Sequence, residues 1–500
     1  MTDTRTIRRT ISDSPLDPAV DRRWPALLVL CAGMLMIILD QTIVNVALPA
    51  IQTDLGFSQS SLAWVVNAYL IPFGGLLLLA GRMGDLLGRK RVFVAGLTLF
   101  TAASLACGLS TSAGMLIGAR FVQGAAGAMT SAVILGMIVT MFAEGRERAR
   151  AIGVYSFVAS AGATIGLLLG GVLTQALSWH WIFFVNLPIG IAAALSALRL
   201  VPGDRAVNAG QGADVAGAAL VTSGLMLGVY TIVGAAESGW VSARTLGLGA
   251  VAVALLAGFV ARQATAANPL LPLRVFRSRQ ISGANLVQAF MMVGLFGMFF
   301  LGSLYLQRVL GYDAVGIGLA FLPTAVAIGV LSLGLSPRLV TRFGGQAVLL
   351  PGLAFILLGL AWFTRAPVDG SYAADVLPSV LLLGLGAGLG FPALMTLGMS
   401  GATASDSGLV SGLLNTTQQV GGALGLAVLA TLAATRSDQL LADGSGTAAA
   451  LTGGYHLAFG VGAAFVLAAL ILAVVVLRPE PAVVAVDPAV LDDDLRLDAA

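Results

Sequence analysis

One acidic side chain lies within a long apolar stretch of the sequence. Asp40 falls inside the first long apolar run of the chain, which begins near Pro25 and closes at Pro49. An acid at the centre of a membrane helix costs about 2.5–3.5 kcal/mol on insertion scales, so such a residue needs a partner or a purpose. A carboxyl group in this setting has two chemistries open to it. It can form an ion pair, or it can bind and release a proton.

A basic partner is available in the fourth apolar run. Arg120 lies in the first third of that run, and Gln123 follows one helical turn later on the same face. Helices 1 and 4 must cross a membrane in opposite directions, which brings Asp40 and Arg120 to comparable depths. Two interpretations stay open: a fixed ion pair that only sets helix packing, and a carboxylate that exchanges a proton as Arg120 approaches and leaves it.

The composition determines the elements that hold these residues. Of the 500 residues, 58% are hydrophobic and 10% are charged, whereas a soluble domain carries about 25% charged residues. A membrane span needs about 20 apolar residues and must be helical, because lipid leaves no unpaired backbone group satisfied. The sequence therefore predicts an all-α integral membrane protein of about fourteen transmembrane helices, at 25–49, 62–81, 92–110, 115–140, 151–174, 181–200, 214–236, 244–263, 281–306, 314–335, 346–364, 375–397, 407–433 and 456–477.

Loop charges predict the orientation. With the N-terminus in the cytoplasm, 22 of the 27 Lys and Arg residues fall in cytoplasmic segments, and four fall outside, namely Arg244, Arg308, Arg365 and Arg436. This asymmetry follows the positive-inside rule and predicts a multi-pass protein of the cell membrane with both termini cytoplasmic.

A weak internal repeat predicts the domain organisation. The spacing Arg82-x-x-Asp85-x-x-Gly88 returns as Arg338-x-x-Thr341-x-x-Gly344, without the acid. Repeats of this kind are typical of transporters that rock around a midplane site. The predicted parts are a cytoplasmic tail (1–24), a six-helix bundle (25–200), an inserted helix pair (201–280), a second six-helix bundle (281–477) and a disordered cytoplasmic tail (478–500).

Two further patterns are candidates for moving parts. A turn between helices 2 and 3 holds an acid among basic residues, which topology alone does not require; we expect it to latch the two bundles on the cytoplasmic side, and its candidate residues are Gly81, Asp85, Gly88, Arg89 and Lys90. Helix 5 carries a stripe of small residues that serves either generic packing or a flexible interface between bundles, formed by Gly153, Gly162, Gly166, Gly170 and Gly171.

Together these segments resemble one family. Residues 40–49, 81–91, 120–127, the glycines of helix 5, 179–190 and 407–422 are similar to the fourteen-helix drug:proton antiporters of the major facilitator superfamily. The resemblance implies the major facilitator fold and proton-coupled efflux of amphipathic drugs or antibiotics. It also implies that Asp40 and Arg120 serve coupling, that the 81–91 turn gates, and that the helix 5 stripe is the antiporter signature. Two positions depart from the family pattern, namely Leu167 in place of proline and His180 in place of arginine.

The substrate pocket has a weaker signal in the sequence. Polar groups in lipid usually face the bundle interior, and methionine and aromatic side chains suit a loose apolar site, although each of them serves equally well as ordinary packing. The candidates are Gln41, Asn45, Gln123, Met292, Phe296, Phe391, Asn415, Gln418 and Gln419.

Several functions are not expected. The chain has no phosphate-cradling loop and no His–Asp–Ser set, so it is predicted not to be an enzyme. We expect no cofactor other than the coupling proton, no metal and no nucleic-acid partner, with Cys31 and Cys107 as packing residues. The expected partners are a small amphipathic substrate and the lipid bilayer, with the protein acting as a monomer. The alternative that remains open is a proton-coupled carrier for an endogenous metabolite or lipid, including uptake.

Overall fold

The computed structural model describes residues 23–142, 146–203, 212–402 and 407–477. Within these ranges, thirteen helices are long and apolar enough to cross a membrane, and Arg146–Ala176 is a further helix of 31 residues with an apolar second half. The predicted N-terminal and C-terminal tails lie outside the described residues. We number the helices α1 (Arg23–Leu55), α2 (Trp64–Leu87), α3 (Arg89–Gly108), α4 (Ala113–Met141), α5 (Arg146–Ala176), α6 (Trp181–Leu200), α7 (Val215–Ser238), α8 (Ala243–Thr265), α9 (Arg279–Arg308), α10 (Ala314–Phe343), α11 (Gly345–Phe363), α12 (Tyr372–Ser400), α13 (Ser407–Ala442) and α14 (Thr447–Val475).

Each of the fourteen predicted spans corresponds to one of these helices, and the all-α membrane class is confirmed. The predicted bounds are wrong mainly at the hairpin of α13 and α14. The first of these helices ends at Ala442 and the second begins at Thr447, each extending the predicted span by nine residues. Arg436 and Asp438 interrupt the apolar pattern there, but a helix continues beyond the lipid slab because its backbone hydrogen bonds do not depend on lipid.

Successive helices alternate in direction, which creates two faces. The Arg23 face holds the start of α1 and the turn between α2 and α3, and the Asp54 face holds the end of α1 and the turn between α5 and α6. The four basic residues predicted to lie outside occupy the Asp54 face, and the other described basic residues, apart from Arg120, occupy the Arg23 face.

The helices form two groups joined by two seams. Helices α1–α6 pack mainly on one another, and so do α9–α14. One seam pairs α5 with α10, and the other pairs α2 with α13. The hairpin of α7 and α8 lies on the second seam: the Thr431 hydroxyl of α13 donates to the Ile232 carbonyl of α7 over 3.3 Å, and α7 also packs against α2.

The internal repeat has a structural counterpart in two glycines. Gly88 and Gly344 have φ values of 95° and 85°, a backbone region that L side chains rarely adopt. Each ends one helix with an N–H bond to the preceding turn, to Gly84 O over 3.0 Å and to Val340 O over 2.8 Å, and the next helix begins at once. Glycine at both positions therefore permits the tight turn between successive spans.

The helix 5 glycines do not act as one stripe. Gly162, Gly166 and Gly170 lie against α1 of the same bundle, whereas Gly171 lies against Ala314 of α10 across the seam. A Cβ at Gly153 would meet none of the described residues within 4 Å, and the antiporter role of the five glycines stays a prediction. The difference follows from helix geometry, since residues nine apart do not return to the same face of a 3.6-residue helix.

Two glycine variants test this division. A Cβ at Gly170 would lie 2.8 Å from the Ile43 carbonyl oxygen, a backbone atom that cannot rotate away. We expect Gly170→Val to cost about 1–3 kcal/mol of stability by overpacking, and Gly153→Val to leave stability unchanged. Thermal melting of the purified protein in detergent measures both effects, and equal melting temperatures for the two variants would contradict the assignment.

Candidate functional site

Asp40 and Arg120 form a buried ion pair. Arg120 Nη1 lies 2.5 Å from Asp40 Oδ2, and the two residues are 1% and 0% exposed. The direct contact predicted from their depths is therefore present. Burying two charges is unfavourable unless each is paired and its remaining hydrogen-bonding groups are satisfied, so the surrounding side chains decide whether the pair is tolerated.

Neutral donors satisfy the second carboxylate oxygen. Gln123 Nε2 and Asn186 Nδ2 both donate to Asp40 Oδ1, over 2.8 Å and 3.1 Å. The Ser104 hydroxyl oxygen in turn accepts from Gln123 Nε2 over 2.7 Å. These three side chains come from α4, α6 and α3, and all of them are fully buried. Four helices of the N-terminal bundle thus meet at one carboxylate.

Two further hydrogen bonds of Arg120 go to neutral acceptors. Arg120 Nε donates to the Val65 carbonyl oxygen over 3.0 Å, and Nη1 donates to Gln123 Oε1 over 2.8 Å. The Tyr69 ring lies under the guanidinium with its centroid 4.4 Å from Cζ, a cation–π distance. The cation is therefore held by α2 and by its own helix as well as by Asp40.

Glycines of α4 permit this approach of α2. A Cβ at Gly124 would lie 2.2 Å from the Tyr69 carbonyl oxygen, and one at Gly127 would lie 2.8 Å from the Tyr69 hydroxyl. Any larger residue at either position would push α2 away and lift the Tyr69 ring from Arg120. The segment 120–127 therefore combines a cation, an amide and the small residues that let a second helix reach them.

Sequence analysis missed Asn186, which donates to Asp40, and Ser104, which accepts from Gln123. Asn186 was a detectable signal, because it is a polar residue within an apolar run and lies in the 179–190 segment that resembles the family. Its position depends on a break in α6 between Phe184 and Asn186, which divides the helix into two pieces. Ser104 offered no comparable signal, since a single serine in a membrane helix usually bonds to its own backbone.

The turn between α2 and α3 is held within its own bundle. Asp85 Oδ1 accepts from Arg89 Nη2 over 3.2 Å, and Arg89 Nη1 also donates to the Gly136 carbonyl of α4 over 3.2 Å. Lys90 Nζ donates to the Leu198 carbonyl of α6 over 2.8 Å, and a Cβ at Gly81 would meet nothing within 4 Å. The described bonds of this turn therefore lie within its own bundle, and the latch to the second bundle stays a prediction.

The pocket candidates lie in different surroundings. Gln123 is committed to the Asp40 network, and Met292 is 1% exposed. In α1, Asn45 Nδ2 bonds to the backbone oxygen of Gln41 over 3.0 Å. The exposed Asn415 side chain similarly bonds to the Ser411 carbonyl over 3.4 Å.

Two of the pocket candidates, Gln418 and Gln419, are amides on α13. Gln418 Oε1 accepts from Gln288 Nε2 of α9 over 3.5 Å. Gln419 lies on the seam beside Gly74 of α2, and its Oε1 has no hydrogen-bond partner among the described residues. Phe296 packs on Gly422 of the same group of helices, and Phe391 on α12 is half-buried. The described contacts thus place one amide, Gln419, where both bundles meet.

A second buried acid lies at the Arg23 face, outside the spans, and sequence analysis missed it. Asp214 caps α7 by accepting from Gly217 N, and it also accepts from Arg262 Nε and Gln263 Nε2 of α8. Burial raises the pKa of Asp214, but these three hydrogen bonds and the Arg262 charge outweigh burial and lower it. The ionised carboxylate fastens the two ends of the inserted hairpin together.

The sequence comparison decides the family. A family model described as Major Facilitator Superfamily matches residues 30–426. The chain belongs to the major facilitator superfamily. It is a multi-pass membrane protein, and members of this superfamily are transporters rather than enzymes.

Similar proteins include several named for antibiotic resistance or export. The chain is 38% identical to a puromycin resistance protein of Streptomyces alboniger, over 92% of this chain and 93% of the relative. It is 39% identical to a cephamycin export protein of Amycolatopsis lactamdurans, over 91% of both chains. A tetracenomycin C resistance and export protein of Streptomyces glaucescens is 34% identical, over 87% and 80%.

Solved transporter structures share the fold. A bacterial homolog of the human lysosomal transporter Spinster, in an inward-facing and unoccupied conformation, has a TM-score of 0.64 at 17% identity, covering 92% of this chain and 97% of that one. An auto-inhibited POT family peptide transporter has a TM-score of 0.65 at 16% identity, covering 91% and 99%. The major facilitator fold predicted from the sequence is therefore confirmed.

The buried pair predicts a non-additive response to mutation. Arg120→Gln removes the counter-charge of Asp40, and breaking a buried ion pair from one side costs about 3–5 kcal/mol of stability. The double variant Asp40→Asn/Arg120→Gln removes both charges and should recover more than half of that loss. Melting temperatures of the purified proteins measure this, with the exposed Arg308→Gln as control. A double variant as unstable as the two single losses added together would contradict the pairing.

Proposed function

We propose that this protein exports small amphipathic drugs or antibiotics across the cell membrane in exchange for protons, by alternating access. The observation that carries the proposal is the Asp40 network: an acid and a base fully buried within membrane-spanning helices, surrounded by neutral hydrogen-bonding groups. Ionisable residues inside spans commonly serve ion or proton relays. The names of the relatives support export as the direction.

The proton acts on the contact between α1 and α4. A proton on Asp40 converts the carboxylate into a neutral acid, and the ion pair with Arg120 is lost. Arg120 keeps its bonds to Val65 O and Gln123 Oε1, so the cation stays on α4 and α2. Asp40 keeps only its neutral bonds from Gln123 and Asn186, so α1 is held less tightly. Loss of the proton restores the pair. Inward proton movement supplies about 2.3 kcal/mol per charge per 100 mV of membrane potential.

The contacts between the bundles support a conformation closed at the Asp54 face. Gln175 Nε2 of α5 donates to Asp313 Oδ2 at the start of α10 over 2.9 Å, and a Cβ at Gly171 would lie 2.7 Å from the Ala314 carbonyl oxygen. At the Arg23 face, the described bonds of Asp85 and Lys90 remain within the first bundle. With the Arg23 face in the cytoplasm, as the loop charges predict, this conformation is inward-facing.

Transport with and without Asp40 tests the proposal. Cells that produce the protein should become less susceptible to puromycin, a cephamycin or tetracenomycin C, and a protonophore should abolish the protection. Asp40→Asn keeps the side-chain shape but cannot exchange a proton, so we expect at least a tenfold loss of pH-driven drug accumulation in inside-out vesicles. The matched control is Asp443→Asn, an acid-to-amide change at an exposed loop position.

The vesicle assay also separates the alternative carriers. Acidifying the vesicle lumen should drive drug uptake into inside-out vesicles, because that lumen corresponds to the cell exterior. Equal pH-driven flux by Asp40→Asn and the control would refute proton coupling at Asp40. Flux of an endogenous metabolite without any drug flux would support the second carrier function instead.

Cross-linking tests alternating access separately. In a background with Cys31 and Cys107 replaced by alanine, Gln175→Cys and Asp313→Cys should react with a short bifunctional thiol reagent, because the native side chains are in contact. Joining them holds the Asp54 face closed, and transport should stop until the reagent is cleaved. Each single cysteine variant, treated in the same way, serves as control. Undiminished transport by the cross-linked protein would refute the closed-face assignment.

A further inference from the structure

Tyr69 is a buried aromatic residue that the coupling scheme has not yet used. Its side chain is 0% exposed, and its ring centroid lies 4.4 Å from Arg120 Cζ. Its hydroxyl interacts with the Gln41 side chain of α1 without the distance and angle of a full hydrogen bond. The contact of Tyr69 with Arg120 is therefore through the face of its ring.

Several contacts keep this ring in place. Phe73 stacks on it with the centroids 5.7 Å apart, and Phe100 stands edge-on at 6.4 Å. Gly124 and Gly127 allow α4 to lie directly on the Tyr69 backbone and hydroxyl. The ring position is thus determined mainly by α2, α3 and α4, and α1 contributes the Gln41 side chain beside the hydroxyl.

This packing of the ring by α2, α3 and α4 matters when Asp40 is neutral. A protonated Asp40 leaves Arg120 as an uncompensated cation in a dry interior, where the attraction of an aromatic face for a cation is strongest. A cation still paired with a carboxylate gains less from the same face, because the two charges largely cancel at the ring. The Phe183 ring is farther from Arg120 Cζ, at 5.8 Å, and contributes less.

We propose that Tyr69 is a positioning residue for coupling, whose aromatic face holds Arg120 in place while Asp40 carries the proton. The inference rests on the proposed proton exchange and names the group that stabilises its protonated state. The ionisable side chains around Asp40 are Arg120 from α4, Tyr69 from α2 and Cys107 from α3. Among the described residues, α5, α6, α9 and α10 place no acid or base in contact with it.

Graded weakening of the aromatic face tests the proposal. Phenylalanine with one, two or three ring fluorines, incorporated at position 69, keeps the shape of the ring and withdraws its electron density stepwise. Each fluorine should shift the pH midpoint of drug transport to lower pH. The reason is that the state with protonated Asp40 is less stabilised, so a lower pH is needed to populate it. Tyr69→Phe should leave the midpoint unchanged, and Tyr69→Leu should lower it by about one pH unit.

A second readout makes the test independent of transport. The difference in melting temperature between each protein and its Asp40→Asn counterpart, followed against pH, reports the same titration without any substrate. The control is Phe100→Leu, which removes a buried ring that touches Tyr69 but has no described contact with Arg120. It should lower the melting temperature and leave the midpoint in place.

The outcomes separate the two proposals. A stepwise acid shift with fluorination, absent in Phe100→Leu, supports the role of Tyr69. A flat fluorine series, or an equal shift in Phe100→Leu, overturns that role even where drug transport remains proton-driven. Absence of proton-driven transport in the wild type refutes the proposed function, while the melting curves still decide whether the ring holds Arg120.

Discussion

The N-terminal bundle depends on how two opposite charges are accommodated away from water. An isolated charge in the membrane interior is costly, and a paired one is tolerated only if its other hydrogen-bonding groups are also satisfied. Asp40 and Arg120 meet this condition with side chains or backbone from α1, α2, α3, α4 and α6. Five helices are therefore positioned by one ion pair, and a change in its charge reaches all of them.

The interior of the second bundle contains a different set of side chains. The interior of its described helices relies on amides and small residues, such as the contact of Gln288 with Gln418 and the close approach of Gly352 to the Gly386 carbonyl. The repeat shows the same asymmetry, since Thr341 stands where the first bundle has Asp85. Among the described residues, buried charges within the spans thus occur in the first bundle and not in the second, although the two bundles have similar turns at Gly88 and Gly344.

The seams between the bundles differ in what covers them. At the α5–α10 seam, Gly171 and Gly318 allow backbone contact near the Asp54 face, and Gln175 joins Asp313 there. The α2–α13 seam is covered by α7, which bonds to one bundle and packs on the other. The Asp214 cluster fastens this hairpin at the Arg23 face, so the inserted helices form an additional brace on one side of the molecule only.

The amino-acid sequence by itself determined the membrane class and the approximate positions of the fourteen spans, and it indicated that Asp40 and Arg120 can lie at comparable depths. These properties follow from local composition and from depth along the chain, which a single run of residues contains. The sequence did not determine which helices supply the remaining ligands. Asn186 reaches Asp40, Ser104 reaches Gln123, and Tyr69 reaches Arg120, only because α4 glycines and the break in α6 bring separate helices together. Likewise, helix rotation assigned Gly170 to α1 and Gly171 to α10. Such contacts depend on distances between segments far apart in the chain, and only the tertiary structure decides them.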